Sequence, residues 1–195
     1  MCYKMSKYLL DDVNRVLLSE LQRDGRIPLS HIGKKTGMSH VAVRKRLEKM
    51  VRERLVNISA DLNVEALEAK TAAIIVEVEN SQRLRELTEL FRDCPRTVFL
   101  SGLNASNLLT IIACEDLSTL ESVIGVCSLR VQKGVRRSEV HIGSLPIYPQ
   151  FLPIRINPEK KAEIAPCMAR CDQCESFESK RCLGCPATKF YKGPL

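Results

Sequence analysis

Apolar residues along the first sixty positions recur at helical spacing. Val13, Val16, Leu17 and Leu21 share one face of a predicted helix. Asp11 and Asp12 stand in its first turn, where the helix dipole favours negative charge. Asp24-Gly25 ends it and starts a turn. Pro28 to Thr36 predicts a second short helix, with Leu29 and Ile32 facing inward. Gly37 lets the chain turn tightly, and Ser39 opens a third helix by offering its hydroxyl to an orphan backbone N–H. Val43, Leu47 and Met50 form the apolar stripe of that helix. Helix, helix, glycine-containing turn, helix is the helix-turn-helix order. Leu55 to Ile58 reads as a strand leaving the motif, giving a winged-helix-like unit.

From residue 62 the period changes. Ala72, Ile74, Val76 and Val78 alternate with Ala73, Ile75, Glu77 and Glu79, predicting a strand over Thr71–Val78. Asn80-Ser81 can cap a helix carrying Leu84, Leu87 and Phe91 on one face. Thr97–Ser101 and Leu108–Cys114 read as two strands joined by a polar turn. Asp116 begins a helix with Leu117, Leu120 and Ile124 on one side, and Val135–Ile142 is a last strand. The order β-α-β-β-α-β is the split ferredoxin-like pattern, an α+β fold with both helices on one face of an antiparallel sheet. The other face needs a cover, and a second copy of the chain is the economical one.

Pro146, Pro149, Pro153, Pro158 and Pro166 make residues 144–166 extended. Tyr148, Phe151, Leu152, Ile154 and Ile156 suggest that part of this stretch packs onto the body. The expected organisation is a DNA-binding unit over residues 1–60, a ferredoxin-like unit over 61–145, a proline-rich linker over 146–166 and a cysteine-rich tail over 167–195.

Charge sharpens the first unit. Residues 1–60 hold 13 Lys and Arg against 6 Asp and Glu, a surplus of +7 that equals the net charge of the whole chain. Such a local excess is expected of a segment that meets phosphate. No apolar run approaches the roughly 18 residues of a membrane span. The first residues have no apolar core of signal-peptide length, so a cytoplasmic protein is expected.

A recognition helix sets its first residues against base edges in the major groove of double-stranded DNA. Ser39, His40, Val41, Arg44 and Lys45 occupy that place. Arg44 suits a bidentate contact to guanine and Val41 a thymine methyl. Arg46, Lys49 and the Lys34-Lys35 pair are placed for phosphates, which fix register without reading sequence. Bracing the motif internally is the other reading for Arg46. His31 reads as a helix-surface residue.

Nine cysteines fall into two groups. Cys2, Cys94, Cys114 and Cys127 are scattered, and those in apolar segments read as buried small hydrophobes. Cys167, Cys171, Cys174, Cys182 and Cys185 follow the spacing C-x3-C-x2-C-x7-C-x2-C-P. Two C-x2-C pairs suit a metal gripped by thiolates. In a reducing compartment such a cluster points to metal or redox chemistry more than to disulfides. Zinc is the first expectation, with a [4Fe–4S] cluster or another soft metal as alternatives. The tail has too few apolar residues to fold alone, so metal would supply its folding energy.

The stretch from Leu10 to Leu47, with its leucine-aspartate start, D-G-R turn, G-K-K-T-G-M-S segment and V-A-V-R-K-R-L helix, resembles the Lrp/AsnC (feast/famine) family of prokaryotic transcription regulators. Gly134 to Ile142 is similar to the last strand of that family. The resemblance covers about residues 9–145. It implies DNA binding through the first unit. It also implies dimerisation, often with higher assembly, through the second, RAM-type unit, whose interfaces commonly hold a small effector such as an amino acid. The corresponding effector positions are Gly102, Asn104, Ser106 and Asn107, but the family's Gly-x-x-Asp element is missing here: no aspartate follows Gly102. A polar turn with no ligand is the other reading of these residues. Two further function classes stay open: a non-specific architectural DNA-binding protein, and an enzyme similar to the haem-pathway decarboxylases that share this two-domain fold. The latter needs cationic and histidine side chains in the second unit, where His141 is the one histidine.

Overall fold

The computed structural model describes residues 10–143 and 146–195, so Cys2 lies outside the described residues. The chain divides into two compact units, Met1–Ala60 and Asp61–Leu195.

In the first unit α1 spans Asp12–Arg23, α2 Leu29–Thr36 and α3 His40–Arg52. The Asp11 carboxylate caps α1 by accepting from the Asn14 N–H at 2.8 Å, and the Ser39 hydroxyl caps α3 by accepting from Ala42 N–H at 3.2 Å. Leu17, Ile32, Val43 and Met50 are buried at the centre, with Leu18, Leu21 and Leu47 packed around them. Val16 is 37% exposed, so the inward stripe of α1 runs through Leu18 instead. Gly37 takes the left-handed conformation at φ 69°, as a tight turn requires. Gly33 is equally constrained, by space: a Cβ there would stand 2.5 Å from the Met38 carbonyl oxygen.

Among residues 10–60 no strand is described, so the expected strand over Leu55–Ile58 and the wing it implied are absent. The reason is the end of α3. Arg54 turns left-handed at φ 57° and Leu55 N–H returns to the Met50 carbonyl at 2.9 Å. This helix-closing bond folds Leu55 back onto the helical core instead of extending it.

The second unit runs β1 (Leu62–Asn63), β2 (Lys70–Val78), α4 (Ser81–Arg92), β3 (Thr97–Gly102), β4 (Asn107–Cys114), α5 (Leu117–Val126), β5 (Val135–Gly143), β6 (Phe151–Leu152) and α6 (Glu175–Glu178). Strands β2 to β5 form one antiparallel sheet in the order β3-β4-β2-β5, and β1 pairs with β6. Asn80 and Asp116 cap α4 and α5, as the sequence predicts. Ala72, Ile74, Val76 and Val78 meet Leu108, Ile112, Leu87, Phe91, Leu120 and Ile124 in the main core, which places both helices on one face. By register, Ala73, Ile75, Leu109, Ile111 and Phe99 stand on the opposite face. Phe99 is 47% exposed there.

Residues 146–195 do not behave as a linker followed by a separate tail. Ile154, Tyr191 and Leu195 are buried with Val64, Ala69 and Ala113 in a second core cluster. Ala165 and Cys167 are buried in the main one. Ala162 pairs with Thr188, so the extended segment runs beside the end of the chain. Apolar side chains spread thinly over both stretches find their partners on the ferredoxin-like body, and this makes residues 61–195 one unit.

Candidate functional site

The basic surface of the first unit separates into two sets of cations. His40, Val41, Arg44 and Lys45, in the first turns of α3, are exposed, and so are Lys34, Lys35 and Lys49. Val41 shows 47% of its surface, so its side chain is free to meet a base edge. Arg44, Lys45 and Lys34 make no ion pair with the described residues. Arg46 is different. Its guanidinium donates to the Asp11 carboxylate at 2.6 Å and to the Asn14 carboxamide oxygen at 3.2 Å. The hydrogen bond from Arg46 holds the Asp11 carboxyl below the ordinary range. Arg46, expected to face phosphate, is therefore committed to bracing α3 against α1. Lys35 is partly committed too, since its ammonium lies 2.8 Å from the buried Glu20 carboxylate and lowers that group's pKa. Lys49 sits 3.9 Å from Glu53 one turn on, a loose exposed pair that leaves it available to phosphate.

The polar turn between β3 and β4 is internally satisfied. The Asn104 carboxamide oxygen accepts from Ser106 N–H at 3.0 Å and from Asn107 N–H at 2.9 Å. Asn104 thus shapes the turn, while Gly102 ends β3 beside it. Of the four residues, Asn107 alone lines a hollow of about 200 Å³ on the open sheet face, with Ile75, Glu77, Arg137, Ser138 and Glu139.

The third feature is a chamber of about 280 Å³ beside α4 and α5, closed by the cysteine-rich segment. All five tail cysteines line it, and so do Cys94, just past α4, and Cys127, the C-cap of α5. Cys94 and Cys127 read as small hydrophobes in the sequence. Only their common place just beyond a helix end hinted otherwise. The Cys127 and Cys167 thiols face one another, and their interaction holds the Cys167 thiol down while raising that of Cys127, which burial raises further. Cys114 is buried nearby but does not line the chamber, and burial pushes its thiol up to about 12.

Arg96 fastens this wall. It is 4% exposed, its guanidinium is paired with Glu115, and it donates to the Gly184 carbonyl at 2.7 Å. The Tyr191 hydroxyl also bonds Glu115, and burial together with that carboxylate raises its pKa. Two residues of the body thus hold two points of the tail. The Ser118 hydroxyl adds a third by donating to the Arg181 carbonyl at 2.8 Å.

A capped basic helix set on two supporting helices, followed by an antiparallel βαββαβ unit, defines a helix-turn-helix DNA-binding protein. Comparison with known proteins narrows this. Residues 10–51 match the AsnC-type helix-turn-helix domain. Over 138 residues the chain is 25% identical to an uncharacterised HTH-type transcriptional regulator of Pyrococcus abyssi, spanning 70% of this chain and 87% of that protein. Among solved structures, AsnC of Escherichia coli superposes with a TM-score of 0.59 at 16% identity, over 70% of this chain and 93% of its own. The leucine response regulatory protein LrpA of Mycobacterium tuberculosis superposes with a TM-score of 0.62 at 21% identity, over 75% of this chain and 100% of its own. These likenesses show the fold. With the domain match they make the chain a DNA-binding transcription regulator with an AsnC-type reading domain, and they favour neither enzymatic nor architectural alternatives. No helix among the described residues is long and apolar enough to cross a membrane.

Proposed function

We propose that this regulator reads a specific, roughly palindromic DNA site as a homodimer of Lrp/AsnC type, and that its cysteine-rich segment binds metal. The observation that carries the DNA reading is the division of labour on α3. Its brace, Arg46, is tied down, while His40, Val41, Arg44 and Lys45 are left bare at the end of the helix that enters a major groove. The dimer reading is supported by the open sheet face, where Ile75, Leu109, Ile111 and Phe99 need cover. The hollow on that same face is a candidate effector site, although its Arg137 and Glu139 are paired with each other at 2.9 Å and the aspartate-free turn at Gly102 points to a ligand other than the family's usual amino acids. Competition gel shifts test this reading, with the DNA upstream of the protein's own gene set against random duplex. Specific binding survives a large excess of random competitor. Equal displacement by both duplexes would instead make the protein architectural.

A further inference from the structure

We propose that the chamber beside α4 and α5 seats an iron–sulfur cluster whose thiolate ligands come from both sides, Cys94 and Cys127 from the ferredoxin-like body and the others from the tail. This rests on the reading that the cysteine-rich segment binds metal, and it says which centre is bound and by what.

The first argument is convergence. Cys94 and Cys127 reach the chamber from two different helix ends, and the tail cysteines reach it from a segment that begins forty residues after Cys127. Buried structural cysteines have no reason to gather in one place. Cys114, buried in the same core beside Arg96, stays out of the lining.

The second argument is space. A single zinc ion needs four donors on a sphere of radius about 2.3 Å. Among the described residues no group of three or more Cys, His, Asp or Glu side chains stands close enough to hold a metal ion as it is, so a small ion would require the thiols to draw together. The thiols instead surround a hollow of about 280 Å³, room for a group of several atoms. An iron–sulfur cluster is such a group, because it brings its own sulfides and asks the protein only for thiolates at its corners.

The third argument is chemistry. The lining holds no carboxylate and no imidazole, which excludes a site built for calcium, magnesium or manganese. Phe91, Ile112, Val123 and Leu129 give the chamber a largely apolar wall, interrupted by Thr110, Ser122, Ser128, Gln173 and Ser176. Arg96 and Arg170 also stand in the lining, but each is already paired, Arg96 with Glu115 and Arg170 with Asp172 at 3.0 Å, so the case for a cluster rests on the thiols.

The test uses the full chain, expressed with iron and zinc both supplied and purified without oxygen. Brown protein with a broad visible charge-transfer band, and iron and acid-labile sulfide in equal amounts, is the expected result. Cys94→Ser and Cys127→Ser should each lower iron content several-fold or change the electron paramagnetic resonance spectrum of the reduced cluster. Cys114→Ser should do neither. Far-ultraviolet circular dichroism on each variant separates ligand loss from misfolding, and the resonance spectrum of whatever cluster remains keeps the test informative in a weakened variant. A colourless protein holding zinc or copper, or iron whose content and spectrum ignore both body cysteines, overturns the proposal and leaves the metal-binding reading standing. Protein that binds neither iron, zinc nor copper, with all its thiols free to react, overturns both.

Discussion

The Arg46 guanidinium on α3 donates to the Asp11 carboxylate at 2.6 Å, joining residues 35 apart in sequence. Asp11 is also the cap of α1, so one carboxylate ends one helix and positions another. Arg46→Ala should cost about 1 kcal/mol, the upper range for a partly exposed ion pair. Asp11→Ala should cost more, because cap loss adds about 1 kcal/mol. A double-mutant cycle in urea measures the coupling. The pH dependence follows from the lowered Asp11 pKa. The stabilisation is fully present above the unfolded carboxyl value, about 3.9, and is lost as pH falls through the depressed folded value. Arg46→Ala should therefore flatten the acid limb of the stability curve of the first unit.

Arg44 and Lys34 should separate base reading from phosphate contact. Arg44→Ala is expected to cost about 1–3 kcal/mol at the cognate site and to relax preference at one position, whereas Lys34→Ala weakens all sequences alike and lowers the salt slope by about 1. Binding isotherms on cognate and random duplexes at several salt concentrations give both numbers. Equal losses on the two duplexes for Arg44→Ala would remove its base-reading role.

Ile75→Lys places a charge on the open sheet face while leaving the helix-side core intact, since Ile75 is opposite in register to Ile74 and Val76. Sedimentation equilibrium should show that the substitution turns the proposed dimer into a monomer. Affinity for a two-half-site operator should fall much further than affinity for a single half-site.

Arg96→Ala leaves Glu115 buried without its cation and releases the Gly184 carbonyl. Breaking one partner of such a buried pair costs about 3–5 kcal/mol. Thermal melts should show that loss, and limited proteolysis should open sites between residues 160 and 195 before the sheet is cut. A variant whose tail stays as resistant as the parent's would show that the tail is held elsewhere.

Much of this architecture is legible in the chain, for identifiable reasons. Local periodicity marks α1 to α5 and β2 to β5 because each buries one face against a neighbour, and Asn80 and Asp116 mark helix starts because a cap acts over three residues. What stays hidden depends on distant partners. The β1–β6 ribbon is two residues long on each side and has no period to read. Arg46 carries the same charge whether it meets phosphate or Asp11. Leu55 looks extended until Arg54 turns left-handed. Cys94 and Cys127 are two thiols among nine until the fold brings them to the tail.

Strand β4 has one residue row on each side of its backbone. Thr110 and Ile112 point to the cysteine-lined hollow, and Leu109 and Ile111 point the other way, where a second subunit would lie. The strand is thus a party wall between two rooms. Packed interiors transmit strain because they have little free volume in which to absorb it. Filling or emptying the hollow would press on one side of this wall, and the neighbour on the other side would feel it after a single backbone's thickness.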